Sequence, residues 1–382
     1  MMFVVWNAAA FGCLYLVYAW ATSAWPGLRS RRALTAGGLA CLWATPTALH
    51  YASMRWHTLS LASMLSSLVA ITLMLTSPWL GLVLLFSRIV RPRPRTDGDG
   101  SRAGSVQRRQ VLEATSGAAL IGGMSSLLGW GFVRGRHAFE IDEVAIPIAG
   151  LPRTLDGYVI AQISDIHTGT FVGETELAEG LERVRETRAD LVVVTGDLVD
   201  IDSAFAPLVA RRLADLRPPD GVVACLGNHD YYAGHEQVLA ALGRAGVDVL
   251  VDSGRVLRAQ DSGGFALLGV DDVVSARWGR SGPSLDCALA TVPPHLPRIL
   301  LSHQPPTVDL WAGRIALQLS GHTHGGQINP GFRPADLLFP YVAGRYRVGA
   351  TTLYVNRGFG TAGPPARVLA PPEVSRIVLV AA

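Results

Sequence analysis

The sequence predicts two unlike parts: an all-α, membrane-spanning region in the first third, and an α/β domain from residue 137 onward. Three observations predict this division. Four stretches before residue 137 (1–28, 33–54, 56–87 and 114–133) carry no Asp, Glu, Lys or Arg. The charge splits at the same place. Residues 1–136 hold 13 Arg against Asp97, Asp99 and Glu113, a net of +10, while residues 137–382 hold 20 Arg against 27 acids, a net of −7. From residue 140, short β-branched runs alternate with helical segments, as α/β layers require.

The uncharged stretches are each long enough for the roughly 20 mainly apolar residues that cross a bilayer as a helix. The first (4–25) and third (59–86) are rich in Leu, Val and aromatics, and the third contains Pro78, a point of tilt, kink or break. The second carries Gly37, Gly38 and Pro46, and the fourth (114–133), with five Gly, is the weakest. Trp20, Trp25, Trp43, Trp56, Trp79 and Trp130 fall near or within these spans, partly as an aromatic belt would place them. Arginines set the orientation. Arg29, Arg31 and Arg32 follow the first span and seven Arg occupy 88–109, against Arg55 alone between the second and third. The positive-inside rule puts the first and third connections in the cytoplasm. Four spans then leave the C-terminal domain extracytoplasmic, on a multi-pass protein of the cytoplasmic (inner) membrane.

The fourth segment has a second reading. Arg108-Arg109-Gln110-Val111-Leu112 before a modest Gly/Ala-rich run resembles a twin-arginine export signal, which would export the domain equally. The expected organisation is therefore 1–90 (three spans), 91–110 (basic cytoplasmic linker), 111–136 (fourth span or twin-arginine-like segment) and 137–382. The linker arginines serve as the topology signal or touch anionic lipid.

Composition narrows the classes further. A chain of 382 residues with 16% charge and a mean hydropathy of +0.29 is not a disordered one. Four cysteines cannot staple it as a secreted disulfide scaffold. The acidic balance of 137–382 gives no basic surface for nucleic acid.

Within 137–382, strands are expected at 158–164, 191–195, 222–226, 265–270, 299–302, 316–320, 352–356 and 375–380. Helices are expected at 174–187, 204–215, 234–245 and 283–289. Three of these strands run directly into metal-ligand residue types: Asp165-Ile166-His167, Gly196-Asp197 and Gly227-Asn228-His229-Asp230. Asp165 and Asp197 are 32 residues apart, and Asp197 and Asn228 are 31 apart. A strand, a crossover helix and the next parallel strand take about 30 residues, so this spacing lines the three ends along one sheet edge. Ser302-His303 and Gly321-His322-Thr323-His324-Gly325 follow two further strands, so five of the ten histidines lie at strand ends. A lone Asp there is usually a turn residue, and a lone His a hydrogen-bonded structural group. Five such motifs at one structural location are a site.

These five blocks, in this order across about 160 residues, resemble the signature of the calcineurin-like metallophosphoesterases. The layout resembles a subgroup with a membrane or twin-arginine segment ahead of the domain, and 354–361 is similar to that subgroup too. The resemblance implies a four-layer α/β/β/α sandwich with a binuclear centre. Asp165, His167 and His324 would hold one divalent ion, Asn228, His303 and His322 the other, and Asp197 would bridge. The mixed O and N donors suit Mn, Fe, Zn or Co without choosing among them. A metal-bound hydroxide would attack a phosphodiester, pyrophosphate or phosphomonoester. His229 would bind phosphate or protonate the leaving oxygen. Asp230 would orient His229 or serve as a structural cap. Arg357 would neutralise substrate charge or pair with an acid.

Gly358-x-Gly360-x-x-Gly363 matches a dinucleotide fingerprint as a string, but Pro364 and Pro365 follow where a helix should open, so it reads as a turn. Cys225 reads as a small buried hydrophobe. An exported, tethered site favours a lipid-linked or other envelope phosphate ester as the substrate partner. A cytoplasmic UDP-diacylglucosamine pyrophosphate hydrolase, or an accessory domain of a transporter or receptor, are the alternatives. The near absence of ionisable residues within the spans counts against transport.

Overall fold

The computed structural model describes residues 2–55, 60–89, 100–169, 171–260 and 263–382. The chain forms two compact units, Met1–Trp130 and Gly131–Ala382. The first is helical: α1 (Met2–Ala24), α2 (Arg32–Arg55), α3 (Ser60–Ile89) and α4 (Gly100–Val133). Among the described residues, two helices are long and apolar enough to cross a membrane, Leu65–Ile89 and Gln107–His137. The apolar stretch Phe11–Ala24 in α1 is shorter. The segment expected to be the weakest span is thus one of the two that qualify. α3 runs unbroken through Pro78. α4 already begins at Gly100, so the part of the expected linker from that residue onward is helical, while 91–99, Trp56 and His57 lie outside the described residues. Trp20 is packed inside the helical unit. It is buried beside Val17, Leu80 and Leu84, and its indole N–H donates to the Glu113 carbonyl at 2.8 Å.

The second unit contains two six-stranded mixed sheets. The first has the order β1-β12-β2-β3-β4-β5, and the second β10-β11-β9-β8-β7-β6. In chain order these strands are β1 (Glu140–Ile148), β2 (Val159–Ile163), β3 (Leu191–Thr195), β4 (Val222–Cys225), β5 (Asp248–Val249), β6 (Ser253–Leu257), β7 (Phe265–Gly269), β8 (Arg298–Leu301), β9 (Leu317–Ser320), β10 (Gly344–Val348), β11 (Thr351–Val355) and β12 (Glu373–Ala381). β2 to β5 are parallel, as are β7, β8, β9 and β11.

Side-chain alternation sorts the core into layers. Ala161, Ile163, Val192, Val194 and Ala224 pack under the helices α5 (Glu174–Glu186), α6 (Ala206–Ala214) and α8 (His235–Ala245), against Leu181, Val209 and Leu242. The opposite residues of the same strands, Ile160, Leu191, Val193, Val223 and Cys225, meet Leu267, Ile299, Leu301, Leu317 and Leu319 of the second sheet. On that sheet's far side, Leu268 and Leu300 pack on Leu285 and Ala288 of α9 (Leu285–Ala290). Strands buried on both faces read as continuous apolar runs, and so they appear in the sequence. Another short helix, α7 (Asn228–Ala233), opens directly at the Gly227-Asn228-His229-Asp230 motif.

Candidate metal centre

The carboxyl ends of β2, β3, β4, β8 and β9 converge. Past β2 and β3 the chains continue side by side, with Asp165 N–H donating to Gly196 O and His167 N–H to Asp197 O, both at 3.0 Å. Asp165, His167, Asp197, His322 and His324 all adopt left-handed backbone conformations, with φ between 51° and 73°. Asp and His tolerate this region better than most residues, but the cost is still of order 1–3 kcal/mol each. Five strained residues at one edge mark a place where side-chain direction outweighs backbone comfort. Two glycines make the close approach possible. A β-carbon at Gly321 would overlap Ser164 Oγ and Asp165 Oδ2, and one at Gly227 would overlap Asp197 Oδ1.

Three groups of donors result: Asp165, His167 and His324; His167, Asp197 and His229; and Asp197, His303 and His322, with the donor atoms of each group within 4.8 Å of one another. His167 Nε2 lies 3.1 Å from His324 Nε2, and His324 Nε2 lies 3.4 Å from Asp165 Oδ1. His303 Nε2 is 3.2 Å from His322 Nδ1, from Asn228 Oδ1 and from Asp197 Oδ2. Asp197 Oδ2 also stands 3.6 Å from His167 Nε2, so this carboxylate belongs to both ends of the cluster. All the expected ligands are therefore brought together.

Electrostatics suit these groups to a cation. Burial, aided by the charge of His303, pushes His322 down to about 3, and burial with the nearby His167 and Arg367 pushes His324 well below the ordinary imidazole range. Both rings are thus neutral, with lone pairs free to coordinate. Burial would raise Asp197, but His303 at hydrogen-bond distance holds it ionised, well below the usual carboxylate range. Donors about 2.0–2.2 Å from a common ion stand roughly 3.0–3.6 Å from each other. The spacings of 3.1–3.6 Å here match. The donor set fits divalent metal.

His229 lines the same edge, its ring 4.5 Å from that of His167. Of the two readings of Asp230, the structure has the structural cap and not a partner of His229. The Asp230 carboxylate accepts from the backbone N–H groups of Gly227 (2.9 Å), Leu198 (2.9 Å) and Val199 (3.2 Å), so it is the structural cap of the two motif turns. Burial pushes its carboxyl up to about 7. The group facing His229 Nδ1 is Asp200, through its carbonyl at 2.8 Å and its carboxylate at 3.1 Å. Burial would lower His229, but Asp200 and Asp197 outweigh it and hold the ring at about 9.

Arg357 also takes the second of its two readings. Its guanidinium is committed to Glu140 (3.0 Å), Asp142 (3.3 Å) and the buried Glu373 (3.1 Å). The Gly358–Gly363 string forms turns and no helix, as expected.

Two residues escape the motif reading. Asp200 follows Asp197 by three positions on the same turn, a spacing that would have exposed it. Arg367 gives no such signal. It is fully buried without a carboxylate partner, and donates to the carbonyls of Gly358, Gly360, Arg357 and Ala370 at 2.5–3.0 Å, with His324 O at 3.5 Å.

A strand-edge cradle of buried imidazoles and carboxylates defines a metal-dependent hydrolase of the α/β class. Residues 158–326 match the family described as calcineurin-like phosphoesterase. A metallophosphoesterase of Bacillus subtilis is 32% identical over 287 residues, covering 72% of this chain and 98% of the relative. A zebrafish (Danio rerio) transmembrane protein with metallophosphoesterase domain is 34% identical, covering 65% of this chain and 59% of its own length. Among solved structures, Haemophilus influenzae NAD nucleotidase aligns with a TM-score of 0.36 at 17% identity, over 53% of this chain and 50% of that one. The chain belongs to the calcineurin-like metallophosphoesterases, a family of phosphoester hydrolases that bind divalent metals.

Proposed function

We propose that this chain is a membrane-anchored phosphoesterase with a two-metal centre, cleaving phosphodiester, pyrophosphate or monoester bonds. Asp165, His167 and His324 would hold one ion, and Asn228, His303 and His322 the other, with Asp197 between them. The observation that carries this reading is Asp197 itself, whose carboxylate faces both His167 and His303. When bound, a metal pair neutralises phosphoryl charge and lowers the pKa of water.

The chain's own residues supply the rest. His229, protonated up to about pH 9 by Asp200 and Asp197, donates to the leaving oxygen or to a phosphoryl oxygen. Asp200 fixes the ring through Nδ1, leaving Nε2 free to face substrate. We read the three core layers as the four-layer α/β/β/α sandwich of the family. The arginine pattern of residues 29–109 supports a multi-pass anchor with the catalytic unit outside the cytoplasm, where a lipid-linked or other envelope phosphate ester is the substrate class on hand.

The test is manganese-dependent hydrolysis of bis(p-nitrophenyl) phosphate by the full chain in detergent, with metal content measured alongside and Asn228→Ala as control. Turnover that disappears in the variant supports the proposal. A chain that binds no metal and turns nothing over overturns it.

A further inference from the structure

Outside the donor cluster, the least expected surface is the loop after His324. Phe332, Leu337 and Leu338 are 52%, 84% and 75% exposed, and Leu369, on the segment tied to Ile328 and Asn329, is 69% exposed. Isolated exposed leucines need no explanation, but four large apolar side chains grouped on one lip do.

The lip is built rather than loose. Thr323 Oγ1 donates to Val342 O at 2.6 Å, and the backbone N–H groups of Val342 and Ala343 reach Tyr346 Oη at 2.9 and 3.3 Å. Ala335 is buried at its base, and Phe339 meets the His322 ring edge-on at 6.1 Å. Asn329 ties in the second segment, its N–H donating to Val368 O at 2.9 Å and its side-chain amide to Leu369 O at 3.3 Å. Leu369 has φ +51°, a conformation that favours glycine. A strained leucine held in solvent between the buried Val368 and Ala370 adds nothing to the core.

We infer that this lip seats on a lipid surface and holds the mouth of the metal centre against it. Three observations select lipid. The only charges from Phe332 to Ala343, Arg333 and Asp336, neutralise each other at 2.7 Å, so the tip dehydrates without a lone charge. The edge strand β10 that follows presents exposed Arg345 and Arg347, neither of them paired with a carboxylate among the described residues, as a surface of anionic headgroups would require. The same chain carries Leu65–Ile89 and Gln107–His137, each long and apolar enough to span a bilayer. A second copy is the poorer occupant. Four side chains offer a few hundred Å², against about 800 Å² per partner in a standard interface, whereas shallow insertion needs only a few apolar side chains and flanking basic ones.

The inference does not depend on the hydrolysis proposed above, and its test reads contact. The full chain is reconstituted into phosphatidylcholine–phosphatidylglycerol vesicles doped with a phospholipid bearing a diazirine on its acyl chain. After illumination, adducts are mapped by mass spectrometry. Adducts are expected on 332–339 and Leu369 and not on the exposed faces of α5 and α6. In the double variant Leu337→Asp, Leu338→Asp they should fall at least about tenfold, the ratio set by transfer of a single leucine side chain. Metal content and bis(p-nitrophenyl) phosphate turnover should match the parent within about twofold, which separates a lost contact from a lost fold. Adducts on the lip no denser than on α5 and α6, or unchanged in the variant, overturn the inference.

Discussion

In the first sheet, β2, β3 and β4 deliver a mixed set of donors: the Asp165 and Asp197 carboxylates, the Asn228 amide and the His167 and His229 rings. In the second, β8 and β9 deliver imidazoles alone, His303, His322 and His324. The two sets also differ in what orients them. His322 N–H donates to both oxygens of Asp165 at 3.0 and 2.9 Å, and His303 Nδ1 faces Thr195 O of β3 at 2.8 Å. Each sheet thus aims the donors of the other. The first provides the negative charge that a pair of cations needs; in the second, burial makes His322 and His324 neutral, while His303, which burial alone would lower, is raised by Asp197. The centre reads the register between the sheets, so a change on either side is felt by both.

The comparison breaks most completely at Asp197, the one carboxylate facing both halves. Asp197→Ala should lose both ions together and lower kcat/KM at least about 10³-fold, or about 4 kcal/mol of transition-state stabilisation. Metal analysis beside kinetics decides it, and full occupancy with normal turnover would remove the bridge. A change confined to the first sheet comes next. Asp200→Asn should cost about 10–100-fold in kcat while leaving metal content intact. The sign of its pH effect is fixed: His229 is held at about 9, so the alkaline limb of the parent falls near there, and in the variant it should move toward the ordinary value of about 6.5. The same pair contributes stability that is complete below about pH 6.5 and lost as pH rises through about 9.

Arg367 sharpens the comparison from outside either ligand set, since it braces the 357–360 turn against His324. Arg367→Met strands several buried carbonyls and should cost about 2–4 kcal/mol by denaturant titration, with metal affinity down about tenfold. Arg367→Lys should restore part of both. Arg357→Gln is expected to be the mildest, within about threefold in kcat/KM, because its guanidinium already serves Glu140, Asp142 and Glu373. A tenfold rise in KM at constant kcat would instead return Arg357 to the substrate.

The strands legible in the sequence were those buried on both faces. β3 is Leu-Val-Val-Val-Thr, apolar throughout, and was located to the residue. The ones that escaped lie at edges. β1 begins Glu-Ile-Asp-Glu and is exposed over most of its first half, and β10 alternates Arg with Tyr and Val, so neither shows the apolar run that a doubly covered strand must have. The site divides in the same way. Ligand motifs follow strands at fixed offsets, and those offsets are visible in one dimension. Asp230 was paired with its sequence neighbour His229, whereas it binds backbone 31 and 32 residues upstream; Arg357 was named without its partner, an acid 217 residues away. Arg367 was missed because burial of a lone arginine among Gly, Pro and Ala has no signature in the chain itself.

The strand order of the first sheet also governs when this domain can come into being. β12, made more than 200 residues after β2, is threaded between β1 and β2. On the ribosome, Val159–Ile163 must wait with an open edge while more than 200 residues are added, and the sheet closes only once Glu373–Ala381 has emerged. This sheet therefore cannot close before Glu373–Ala381 has been made. The nascent chain must be shielded from pairing through that edge, and any export machinery that accepts only folded cargo has to wait for β12.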